Sequence, residues 1–128
     1  MTANTPVVLA DEWAMRVTIR TYTHDRLARG ELSESSVPVI EAVLRCWLRH
    51  VDGIPPAGWT RELVATWVHD PTVRPSYRKS RLGKLRPFIR WLLERDMIDH
   101  DPTIGVARVQ VPPGRPRDLT LDEVRRLL

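Results

Sequence analysis

Long hydrophobic runs are missing from this sequence of 128 residues: no apolar stretch approaches the roughly 18 to 20 residues that span a bilayer. The first residues, MTANTPVVLADEW, lack the basic opening and long apolar centre of a secretory signal, so a cytoplasmic protein with no membrane partner is expected. Cysteine is nearly absent too. The lone Cys46 can close no internal disulfide, which agrees with a reducing compartment, and its expected role is that of a small, half-buried residue. The four histidines, at 24, 50, 69 and 100, are scattered, and no Ser/His/Asp set or glycine-rich phosphate loop recruits them. Asp99, His100 and Asp101 are neighbours, but adjacent side chains in one turn rarely converge on an ion, and no second His or Cys cluster accompanies them. Neither a metal nor a cofactor is expected.

Acid is what the most basic stretch lacks. From Arg74 to Arg95 the cations Arg74, Arg78, Lys79, Arg81, Lys84, Arg86, Arg90 and Arg95 stand against Glu94 alone, eight against one, a local balance of +7 in a chain whose whole excess is +4. The remainder is therefore slightly acidic. Apolar residues at Leu82, Leu85, Phe88, Ile89 and Leu92 follow helical spacing through the same stretch, which predicts an amphipathic cationic helix. A solvated face normally mixes signs, with Glu placed before Lys or Arg at i,i+4, and this helix offers its cations almost no carboxylates. Positive field concentrated in this way is the footprint of a surface that meets a polyanion, with nucleic acid the leading candidate. A helical protein-interaction domain whose basic face binds an acidic partner is the alternative, and salt dependence and choice of partner separate the two.

In chain order, the spacing predicts helices near 10 to 29, 37 to 51, 60 to 70 and 75 to 95, in an all-α bundle of four main helices. In the first, Leu9, Trp13, Val17 and Leu27 form an apolar line, although Val17, Ile19, Thr21 and Thr23 also alternate like a strand. Gly30 fits its C-terminal stop. In the second, Val37, Ile40, Leu44, Trp47, Leu48 and Val51 descend one side, starting near Ser36 to Pro38, and Thr60 can cap the third. Trp47, Leu44, Leu48, Leu85, Phe88 and Leu92 are the expected core, with Trp67 and Trp91 also packed inward. Pro87 presses its ring on the carbonyl of Gly83, which predicts a kink there that lets Arg78 to Lys84 diverge from the core. From Val106 to Arg117, VARVQVPPGRPR reads as an extended basic tether. Thr120 and Glu123 then have capping-box spacing before a short apolar stripe, Leu121, Val124, Leu127 and Leu128, which reads as the opening helix of a further domain.

The series RLGKLRPFIRWLLERDMIDHDPTIGV, then a basic Pro-rich linker, then LTLDEVRRLL, resembles the tyrosine recombinase (phage integrase) family across the junction of its two DNA-clamping domains. The resemblance runs well over about residues 76 to 128 and elsewhere by helix order, with Ile98 to Pro102 standing at the family's I-x-x-(N/D)-P turn. It implies that residues 1–105 form a SAM-like core-binding domain gripping the recombination-site duplex, and that 106–128 are the interdomain linker and the first helix of the catalytic domain. The implied partners are double-stranded DNA, the catalytic domain of the same full-length chain, and other recombinase protomers on DNA. The nucleophilic tyrosine and its helpers belong to that later domain, so this stretch should not cut DNA, and Tyr22 and Tyr77 are expected to serve packing or surface.

Arg74, Arg78, Arg81 and Lys84 lie three or four residues apart, a spacing that lines them along one side of a helix, with Lys79 beside the row. These five are the expected main DNA contacts. Arg45 and Arg49 of the second helix are assigned to the opposite backbone, and Arg115 and Arg117 of the linker to tracking the duplex.

Overall fold

A computed structural model describes residues 12–110 and residue 125. Among these, the regular structure is helical, with no strand: α1 (Glu12–Ala28), α2 (Val37–Val51), α3 (Arg61–Val68) and α4 (Pro75–Glu94), with single 3-10 turns at Glu34–Ser36 and Pro56–Gly58. The all-α class and the four helices expected from periodicity are thus present.

The ends of the helices follow local chemistry. At the end of α1, Gly30 takes φ +75°, and the amides of Gly30 and Glu31 donate to the carbonyls of Leu27 and Arg26. That pair of bonds closes a Schellman cap, in which the positive φ costs a glycine little. Pro38 sits in the first turn of α2, where its missing N–H goes unused. Thr60 caps α3, its hydroxyl accepting from the Leu63 amide at 3.2 Å.

One core joins the four helices. Trp47 of α2 is at its centre, meeting the rings of Trp59 and Trp67 edge to face at 5.3 and 5.2 Å. Tyr22 of α1 does the same with Phe88 and Trp91 of α4, at 5.1 and 5.5 Å. All eight residues expected inside, Leu44, Trp47, Leu48, Trp67, Leu85, Phe88, Trp91 and Leu92, are buried. Both tyrosines are fully packed.

The face of α1 differs from the reading of its letters. Trp13 is 71% exposed and Val17 43%, whereas Met15, Ile19 and Tyr22 point inward with Thr18 and Thr23. Threonine enters the core because its hydroxyl finds partners there: that of Thr18 donates to the Ala14 carbonyl at 2.8 Å, and that of Thr23 to the Glu41 carboxylate of α2 at 2.7 Å. Scoring threonine as polar rotated the expected stripe.

α4 runs through Pro87 as one helix, as expected, but its first half is not placed as expected. The half before Pro87 does not leave the core, since Tyr77, Arg81, Leu82 and Leu85 are buried, as are Phe88, Ile89 and Leu92 after it. Gly83 is exposed, so the carbonyl that loses its donor at Pro87 is open to water.

The turn after α4 closes through His100. Its Nε2 lies 2.7 Å from the Trp59 carbonyl and its Nδ1 2.9 Å from the Asp99 carboxylate. Both partners only accept, so the doubly protonated ring satisfies both contacts and the neutral ring only one. The hydrogen bond to Asp99 and then that to Trp59 hold the imidazole above its ordinary pKa. A raised folded-state value contributes stability that is complete below the unfolded pKa, about 6.5, and is lost as pH rises through the folded one. Melting temperature is therefore expected to fall as pH rises from about 6.5 through the mildly alkaline range, with His100→Gln flattening the profile. A profile unchanged by that substitution would remove His100 as its source.

Candidate nucleic-acid interface

α4 turns its faces differently from the row read off the sequence. Tyr77, Arg81, Leu85, Phe88 and Leu92 form a continuous inward stripe, and Arg81 is one of its members, only 5% exposed. Its guanidinium lies over the rings of Trp67 and Tyr77, at 4.8 and 4.9 Å, and donates to the Trp67 carbonyl at 2.6 Å and the Cys46 sulfur at 3.7 Å. Arg81 therefore fastens α3 and α2 to α4 and is not an outward DNA contact. A planar, weakly hydrated guanidinium tolerates this position because aromatic faces and a carbonyl replace water around it.

Arg78 is also turned back toward the protein. Its Nε donates to the Val73 carbonyl at 2.6 Å and a terminal nitrogen to that of Pro71 at 3.4 Å, so it closes the α3–α4 loop. Lys84 is half-buried. Arg74 precedes the first turn and is exposed, and Lys79 is exposed. On α2, Arg45 is half-buried and lies 3.9 Å from Glu41, while Arg49 faces solvent. Arg115 and Arg117 lie outside the described residues. The five main contacts expected on α4 thus do not form one accessible row.

A different row faces outward more fully. Lys79, Gly83, Arg86 and Arg90 recur at four, three and four residues; Lys79, Gly83 and Arg90 are exposed and Arg86 half-buried, with no carboxylate between Lys79 and Arg90 and Glu94 following one turn later. At about 1.5 Å per residue the row covers roughly 16 Å, enough to cross a B-DNA major groove of about 12 Å. Arg86 and Arg90 are not among the contacts expected from the sequence, although their spacing from Lys79 places them on its side of the helix. The opposite stripe, from Tyr77 to Leu92, was equally visible and already contained Arg81.

Residues 106–110 supply a second wall. Val106 is buried, the His69 ring donates to the Ala107 carbonyl at 2.9 Å, and Arg86 donates through one terminal nitrogen to the carbonyls of Thr103 and Val106, at 3.4 and 3.3 Å. Between this segment and α4 lies a groove of about 400 Å³ lined by Lys79, Leu82, Gly83, Arg86, Arg108, Val109 and Gln110. It has three cations, an apolar floor and no carboxylate. Comparison with known protein families, curated proteins and solved structures finds no match to this chain. The interface is therefore interpreted from its own chemistry.

That chemistry is selective in sign. A second cavity of about 290 Å³, between the Pro56 turn and the end of α4, carries Asp96 and Asp99 beside Pro55, Pro56, Met97 and Ile98, so it is unsuited to an anion. The cations at the end of α1 and of α4 are partly neutralised: Glu31 pairs with Arg26 at 3.1 Å, and Asp25 pairs with Arg29 and Arg95 at 3.0 and 2.8 Å and accepts from the Trp91 indole at 3.0 Å. These donors, the Trp91 N–H foremost, hold the Asp25 carboxyl below its ordinary range and keep it charged. Asp99, His100 and Asp101 are engaged in the closing turn, and among the described residues no group of three or more His, Cys, Asp or Glu converges as a metal site. No described helix is long and apolar enough to cross a membrane.

Proposed function

We propose that this chain is a DNA-binding module that grips duplex through the outward face of α4 and the adjoining segment 106–110. The observation that carries this reading is the groove that Lys79, Arg86 and Arg108 line without a carboxylate, with exposed Arg90 one turn beyond half-buried Arg86 on the same face of α4. Cations so placed repel one another until a polyanion enters, and each phosphate neutralised releases condensed counterions. In its finer form the proposal is the SAM-like core-binding domain of a site-specific tyrosine recombinase, which holds the recombination-site duplex and leaves cutting to a catalytic domain further along the same polypeptide. The all-helical bundle and a chain leaving α4 along the basic groove support that form, together with the family-like series around Arg81 to Val106. Other recombinase protomers on the same DNA are the further partners of this reading.

Titration of labelled duplex of arbitrary sequence tests it. Four phosphate contacts predict a slope of log affinity against log salt of roughly −4, with a dissociation constant on the order of 10⁻⁴ to 10⁻⁶ M at physiological salt. Binding that ignores salt, or that prefers an acidic protein to duplex, would overturn the proposal.

A further inference from the structure

Gly83 stands in the middle of α4, a position where glycine weakens a helix because it loses more backbone freedom on folding than alanine does. Neither its backbone angles nor crowding by other elements requires it. The residue is not among those with positive φ, and a Cβ added there would meet no atom within 4 Å, the helix's own nearby backbone aside. Gly83 is exposed, and it lies on the basic groove one turn after Lys79 and one turn before Arg86.

We propose that Gly83 is the point of closest approach for a sugar–phosphate strand of duplex DNA, which lies against bare helix backbone with Lys79 and Arg86 on either side and Arg108 across the groove. This rests on the DNA-binding reading and deepens it. The occupant is identified by charge and shape: the groove presents three cations and no carboxylate over an apolar floor of Leu82 and Val109. A side chain at 83 would hold the strand away from the helix. Lys79 and Arg86 could then reach phosphate only by extending fully, with loss of side-chain freedom. Bare backbone lets both cations meet one strand at short range, as glycine does wherever a chain must come close to a ligand.

The rival explanation lies within the helix, since the ring of Pro87 presses on the carbonyl of residue 83 and glycine eases that contact. The two make opposite predictions for the full chain. If Gly83 serves the strand, Gly83→Ala raises the melting temperature by about 4 °C, because alanine is the better helix former and has room. The same variant binds duplex more weakly, its salt slope smaller in magnitude by about 1, and Gly83→Leu loses more. A lowered melting temperature in Gly83→Ala that Pro87→Ala restores would assign the glycine to Pro87 and overturn the inference. Duplex binding by Gly83→Ala and Gly83→Leu equal to that of the unchanged chain would overturn it while leaving the DNA reading standing. Failure of the unchanged chain to bind duplex would reject both.

Discussion

Replacing three outward cations together, as Lys79→Ala/Arg86→Gln/Arg90→Ala, is expected to take duplex binding beyond detection while the fold survives. Each phosphate contact contributes about 0.9 to the salt slope, so at about 0.1 M salt each lost contact lowers affinity roughly 8-fold and three lower it roughly 500-fold. From a dissociation constant on the order of 10⁻⁴ to 10⁻⁶ M, that leaves little to measure. Stability is expected to hold because Lys79 and Arg90 face solvent, and Gln at 86 keeps an amide donor in place of long bonds at 3.3 and 3.4 Å. Arg81→Ala is the informative control. It removes a buried cation from between two aromatic rings and leaves the Trp67 carbonyl without its donor, so it is expected to lower the melting temperature and leave the salt slope alone. The opposite pattern, an unchanged slope in the triple variant and a reduced one in a folded Arg81→Ala, would return the interface to the row first read from the sequence.

Phe88→Ala is expected to cost about 3 to 5 kcal/mol, the largest effect on stability of any single substitution considered. Phe88 is fully buried in the inward stripe of α4, and its ring packs edge to face against Tyr22 of α1. Truncation forfeits the transfer of the ring from water, opens a cavity and removes one of the contacts that join the first helix to the last. A domain of this size is usually stable by only about 5 to 15 kcal/mol, so the loss is a large share of the whole. Urea denaturation of wild type and variant gives the difference directly, with the slope of the transition checking that both unfold in one step. A loss below about 0.5 kcal/mol would mean that α4 faces the other way. Leu85→Ala, one turn earlier in the same stripe, is expected to lose about 2 to 5 kcal/mol.

The number of helices, their ends and most of the core were legible in the sequence because they depend on short-range rules. Apolar residues at three and four residue steps can meet only on one side of a helix, and Gly30, Pro38 and Thr60 act within one turn of where they stand. The side on which α1 packs was not legible: Thr18 can satisfy its hydroxyl on the Ala14 carbonyl of its own helix, but Thr23 becomes a core residue with Glu41 of α2 there to receive its hydroxyl. The basic surface divides in the same manner. Sequence alone determined that α4 is cationic and almost without acid, and the spacing of Lys79, Arg86 and Arg90 was there to be read. Only the tertiary structure decided which cations are free to meet a ligand. Arg81 has the same charge and side chain as Arg90, but Trp67, Tyr77 and the Trp67 carbonyl take it out of solvent, while the carbonyls of Pro71 and Val73 hold Arg78, and those of Thr103 and Val106 hold Arg86, half-buried. Burying the Arg81 cation costs desolvation, and its Nε has no partner, so its location depends on neighbours brought from other helices rather than on its own letter.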